Sequence, residues 1–203
     1  MDIHREIEAE VATLGEVATA GYFLALRLRG ASPLMTFTTF PQAWTDAYME
    51  NGYMLRDPIT TWALTLGGAI RWSSPFLPDP FGIFREAAAH GLKFGASVAT
   101  GPIGSLTLLS MARADRELTD AEIARARKIV TALHDRTEPP KSLSAEQKAL
   151  LAALAAKPAP KDVARALGLT EAEARAATGA ICTLLVATSP ENAVKRARDL
   201  KLI

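Results

Sequence analysis

Between residues 40 and 72, Phe40, Trp44, Tyr48, Tyr53, Trp62 and Trp72 accompany Asp57, so six of the chain's thirteen aromatic residues gather around one carboxylate-bearing turn. An indole N–H only donates, a phenol donates or accepts, and an ionised carboxylate only accepts. Pockets for small ligands are mostly apolar, with a few placed polar groups that fix orientation. The set therefore suits an amphiphile with a carbonyl, an amide N–H and an apolar body. The same residues also have a purely structural reading. Asp57-Pro58 starts a helix well, because Asp caps exposed N–H groups and Pro suits the first helical position, and Trp44 and Tyr48 at i, i+4 share one helix face. Gly95 fits a backbone need beside a strand, either a positive φ or a close approach.

The elements that must position these residues follow from periodicity and punctuation. Ile3, Ile7, Val11, Leu14 and Val17 recur at helical spacing and predict an amphipathic helix over 2–19, broken by Gly21. Residues 22–28 and 34–40 flank a Gly-Ala-Ser-Pro turn and predict a β-hairpin. Helices are expected over 42–51 and 58–66, the second stopped by Gly67-Gly68. A short strand at 70–72, a proline-rich loop at 75–80 and a helix over 81–90 come next. A second hairpin, 96–102 with 105–112, turns at Ile103-Gly104, and Thr119 caps a long helix over 120–135. Without a repeating strand-helix-strand order, this predicts an α+β fold: an antiparallel sheet covered by helices in an α/β/α sandwich. The segment RTEPPKS, 136–142, is the expected linker between domains 1–135 and 143–203. Beyond it four helices are expected, at 144–156, 161–167, 170–187 and 191–200. Gly168-Leu169 forms the short turn of a helix-turn-helix, and Thr170 with Glu173 forms a capping box.

Bulk properties narrow the class. With 203 residues, 49% hydrophobic and 22% charged, the chain is globular rather than disordered. The net charge of +1 hides an asymmetry. Residues 1–138 carry 13 Lys and Arg against 16 Asp and Glu, whereas 139–203 carry 10 against 6, so the C-terminal segment is the expected polyanion partner. The lone Cys182, in an apolar run, allows neither an internal disulfide nor a cysteine-cluster zinc site. His4, His90 and His134 are scattered, with no nucleophile elbow and no metal spacing, which argues against an enzyme and against a metal or cofactor. No stretch has the length or apolarity of a membrane span or signal peptide, so a cytoplasmic protein without membrane partners is expected.

Trp44-x3-Tyr48-x8-Asp57-Pro58, followed by Trp72, Gly95 and a later strand serine, resembles the autoinducer-binding domain of LuxR-type quorum-sensing regulators. The C-terminal segment is similar in length and punctuation to the LuxR-type helix-turn-helix domain, in the family's domain order. The resemblance implies an N-acyl homoserine lactone as ligand and a transcription regulator that binds DNA as a dimer. It puts the lactone-carbonyl donor on Trp44, the acceptor of the ligand amide N–H on Asp57, and hydroxyls toward the acyl carbonyl on Tyr48 and Ser110. Trp72 becomes an apolar wall, with Tyr53 and Trp62 near the pocket. Phe40 stands where the family often has Tyr, so one hydroxyl donor is missing. DNA contacts would fall to Arg175, Lys161, Arg165, Thr170 and Thr178. The expected recognition helix is poor in cations, however, with Ala177, Gly179, Thr183 and Leu184 where the family carries several Lys or Arg. That poverty favours a second reading: a ligand-binding decoy or antagonist that heterodimerises with a related regulator.

Overall fold

A computed structural model describes residues 3–30 and 32–203. The expected helix start at Asp2, and Ala31 of the expected first hairpin turn, lie outside these residues. Two compact units divide the chain, Glu8–Arg136 and Thr137–Ile203, the latter taken together with the beginning of the first helix.

The first unit is built on a five-stranded sheet in the order β2-β1-β5-β4-β3, antiparallel throughout, from β1 (Gly21–Leu28), β2 (Met35–Thr38), β3 (Gly68–Arg71), β4 (Phe94–Thr100) and β5 (Leu106–Arg113). Helix α1 (Ile3–Ala12) runs into a 3-10 turn at Thr13–Glu16, so the continuous helix expected over 2–19 is shorter and tightens at its end. Helices α2 (Gln42–Glu50), α3 (Pro58–Thr65), α4 (Ile83–Ala89) and α5 (Asp120–Arg136) complete the unit, each within a few residues of its expected bounds. Strand alternation separates the two faces. Thr107 faces α5, where it meets His134, whereas Ser97 and Ser110 face the opposite side, toward Trp72. On that side α3 lays Ile59, Trp62 and Ala63 against Ala99 and Leu106.

The α5 face carries a buried polar knot. Arg27, 4% exposed with φ 52°, sits at the β-bulge where the β1–β5 register shifts between Ala25 and Leu28. Its guanidinium donates from Nε to the His134 carbonyl at 3.1 Å and again from Nη2, while Nη1 donates to Ser105 Oγ at 3.1 Å. Thr107 Oγ1 accepts from the Arg27 amide and lies 2.8 Å from His134 Nδ1. A cation thus closes the carbonyl-rich C-terminal turn of α5, where the helix dipole favours positive charge.

The second unit is all helical: α6 (Ala145–Ala156), α7 (Pro160–Leu167), α8 (Glu171–Leu184) and α9 (Pro190–Asp199). Leu150, Leu151, Leu154, Val163, Ile181 and Leu185 form its core. Gly168, at φ 68°, ends α7 in the left-handed conformation, and Thr170 and Glu173 form a reciprocal capping box that starts α8. Helix α8 stops three residues before the expected 187. Val186 takes φ 49°, and the Ala187 amide turns back to the Cys182 carbonyl, a closure usually made by glycine.

Candidate functional site

Asp57 is held by both oxygens. One caps α3 by accepting the Ile59 amide at 2.7 Å, and the other accepts the Tyr48 hydroxyl at 2.8 Å. Burial raises the carboxyl pKa above the usual range, with the charge of Asp79 adding to it, while the two hydrogen bonds pull the other way. Burial and the neighbouring carboxylate likewise push the Tyr48 phenol up, so it stays protonated as the donor of the pair.

Around this pair the aromatics form a box. Trp44 is 5% exposed and packs edge-on to Tyr48 with centroids 5.6 Å apart, with Tyr53 and His90 at 6.1 and 5.7 Å. Phe40 and Trp72 pack half-buried against the same cluster. Tyr53 donates its hydroxyl to Glu86 of α4, and Arg56 lies over its ring.

Trp72 forms the wall between two apolar clusters, and its ring is clamped on three sides. It stacks on Phe84 with centroids 5.3 Å apart and planes 14° from parallel, and its Nε1 donates to Ser97 Oγ at 3.0 Å. It also lies so close to β4 that a Cβ on Gly95 would sit 2.0 Å from Trp72 Cδ2. Close approach, and not a positive φ, is therefore what requires Gly95. Ser97 Oγ in turn lies 3.0 Å from Ser110 Oγ, its cross-strand partner.

Trp44, Tyr48, Tyr53, Asp57, Trp72 and Phe40 are thus brought together, and Ser110 joins them through Ser97. Trp62 is placed apart, in the second cluster with Ile59, Ala63, Leu77, Ala99 and Leu106, which only Trp72 shares with the first. Sequence reasoning missed Ser97, Phe84 and Glu86. The signal for Ser97 was present, since a hairpin turning at Ile103-Gly104 sets Ser97 opposite Ser110. For Phe84 and Glu86 no local pattern pointed to a site.

In the second unit, Lys161 and Arg165 are exposed on α7, Arg165 lying 3.7 Å from Asp162. Arg175, the cation of α8, is tied to Glu171 one turn earlier at 2.8 Å. Thr170 is taken up by the capping box, and the Thr178 hydroxyl bonds back to the Ala174 carbonyl. The exposed face of α8 carries Ala172, Ala176, Gly179, Ala180 and Thr183 beside that ion pair.

Among the described residues no group of His, Cys, Asp and Glu could hold a metal ion, and no helix is long and apolar enough to cross a membrane. In fold, the chain is similar to Escherichia coli SdiA, with a TM-score of 0.53 at 20% identity over 100% of this chain and 93% of that one. It is similar to the same degree to SdiA in complex with octanoyl-rac-glycerol, with a TM-score of 0.52 at 19% identity over 95% and 87%. In sequence it is 33% identical over 96 residues to the transcriptional activator protein VanR of Vibrio anguillarum, 46% of this chain and 40% of that one. The chain thus spans about two fifths of the length of the curated relatives it matches. The family described as the autoinducer binding domain matches residues 2–137, two thirds of the sequence. With that match laid over the aromatic box and Asp57, the chain belongs to the autoinducer-binding domain family of LuxR-type regulators.

Proposed function

We propose that residues 1–135 bind an N-acyl homoserine lactone and that residues 143–203, joined through 136–142, contact DNA through the helix-turn-helix of α7 and α8. The chain would then be a lactone-responsive transcription regulator acting as a dimer. The observation that carries the ligand reading is the Tyr48–Asp57 pair packed against Trp44. Trp44 donates to the lactone carbonyl, Asp57 accepts the ligand amide N–H, and Trp72 and Phe40 line the apolar part. Tyr48 donates its hydroxyl hydrogen bond to Asp57, so its expected role at the acyl carbonyl passes to Ser110. Dimerisation would use α5 and α9, as a homodimer or with a related regulator.

Removing the charged acceptor leaves the ligand N–H poorly paired, at a cost of about 1–3 kcal/mol. Asp57→Asn is therefore expected to weaken lactone binding at least about tenfold in calorimetry while the fold persists. Unchanged affinity would remove Asp57 from the site.

The Arg175–Glu171 pair favours the second reading, a lactone-binding decoy or antagonist, because it takes up the cation that α8 offers to phosphates. A DNA titration at two salt concentrations, with and without lactone, separates the two. Submicromolar, sequence-selective binding supports the regulator, and weak binding erased by salt despite bound lactone supports the decoy.

A further inference from the structure

Ser97 is fully buried on β4, between two polar neighbours. Trp72 Nε1 can only donate, so Ser97 Oγ accepts that hydrogen at 3.0 Å. The remaining partner of Ser97 among the described residues is Ser110 Oγ, also 3.0 Å away. If Ser97 accepted from Ser110 as well, its own hydroxyl hydrogen would be buried without an acceptor, a costly arrangement in an interior. Ser97 therefore donates to Ser110, and the chain of hydrogens runs from Trp72 through Ser97 to Ser110. Ser110 is left with its hydrogen unused. It lies between Ser97 and the half-buried Phe23 on the sheet face that carries Trp72, and it keeps 9% exposure where Ser97 has none. Phe40 brings no competing hydroxyl.

We propose that Ser97 is a positioning residue that leaves the Ser110 hydroxyl hydrogen free to be donated to the ligand, so that the site favours ligands presenting a carbonyl oxygen there. The inference rests on the lactone-binding reading above and extends it to a residue that does not itself touch the ligand. Its consequence is directional: with Ser97 intact, Ser110 rewards an acceptor on the ligand over a methylene, which would leave its hydrogen unpaired.

The test is a double-mutant cycle on the full chain. Straight-chain N-acyl homoserine lactones of four to twelve carbons are screened by calorimetry, and the tightest binder to the wild type is used throughout. Ser110→Ala is expected to weaken binding about tenfold. Ser97→Ala is expected to weaken it three- to tenfold in the Ser110 background and to change nothing further in the Ser110→Ala background, because its effect passes through that hydroxyl. A Ser97→Ala variant within twofold of wild type overturns the proposal. Equal losses in both backgrounds also overturn it, since they would mark Ser97 as packing alone. A wild-type chain that binds none of the lactones overturns the underlying reading as well. Matching circular dichroism melts of the variants establish that affinities are compared between folded proteins.

Discussion

Gly95→Ala tests the clamp on Trp72 most directly. The added methyl would lie 2.0, 2.2 and 2.4 Å from three carbons of the indole, far inside contact distance. The ring has nowhere to retreat without cost, because Phe84 stacks on it and Ser97 holds its Nε1. Overpacking of this kind costs about 1–3 kcal/mol, and losing the indole hydrogen bond adds about 1 kcal/mol. The expected destabilisation is about 2–4 kcal/mol. At roughly 3 °C per kcal/mol for a chain of this size, the melting temperature should fall by about 6–12 °C. Thermal and urea melts of four proteins provide the assay: wild type, Gly95→Ala, Trp72→Ala, and the double variant. With the ring removed, the methyl has room, so Gly95→Ala should cost less than about 0.5 kcal/mol in the Trp72→Ala background. A full cost in both backgrounds, or none in either, would refute the close-approach argument.

Four further outcomes are expected. Because burial raises the Asp57 carboxyl pKa, the native chain holds that proton more tightly than the unfolded one. The contribution of Asp57 to stability should therefore be fully present below the unfolded value of about 3.9 and be lost as pH rises through the raised native value, a difference that comparing wild type with Asp57→Asn in denaturant titrations should isolate. Lactone affinity should rise through the same window, since the ligand amide prefers the carboxylate, and calorimetry in buffers of different ionisation heat should register proton release. Glu171→Gln frees Arg175, so the salt dependence of DNA binding should steepen by about one unit of log–log slope, whereas an unchanged slope would place Arg175 away from phosphate. Gly168→Ala forces a side chain into φ 68°, with an expected cost of about 1 kcal/mol measured by denaturant melts of the full chain.

Most of the fold was legible because its punctuation is local. Thr119, Asp57-Pro58, Gly67, Gly168 and Thr170 each mark an element end through chemistry contained within a few residues. The C-terminus of α8 was not legible, because Val186 adopts a left-handed turn without glycine and only the packing around it selects that conformation. The cluster of Trp44, Tyr48 and Asp57 was legible, since their types and spacing put donors on one helix and an acceptor at the start of the next. The cluster that Trp62 joins was not legible, since an aromatic four residues into α3 can face either of two clusters and only the three-dimensional course of the sheet decides. Ser97 meets Ser110, 13 residues away, through the register of one hairpin, whereas Glu86 acts through a partner 33 residues away, beyond the reach of any local pattern.

The knot around Arg27 bears on how the end of α5 opens. Helix termini ordinarily fray on their own, with free energies near zero and no involvement of the rest of the domain. Here the carbonyl of His134 is grasped by a side chain from β1, and the His134 ring is anchored to Thr107 of β5. Releasing that last turn means breaking bonds to two neighbouring strands together. The amides of the final turn of α5 should therefore exchange with solvent on the timescale of the sheet, making residues 133–136 part of its cooperative unit.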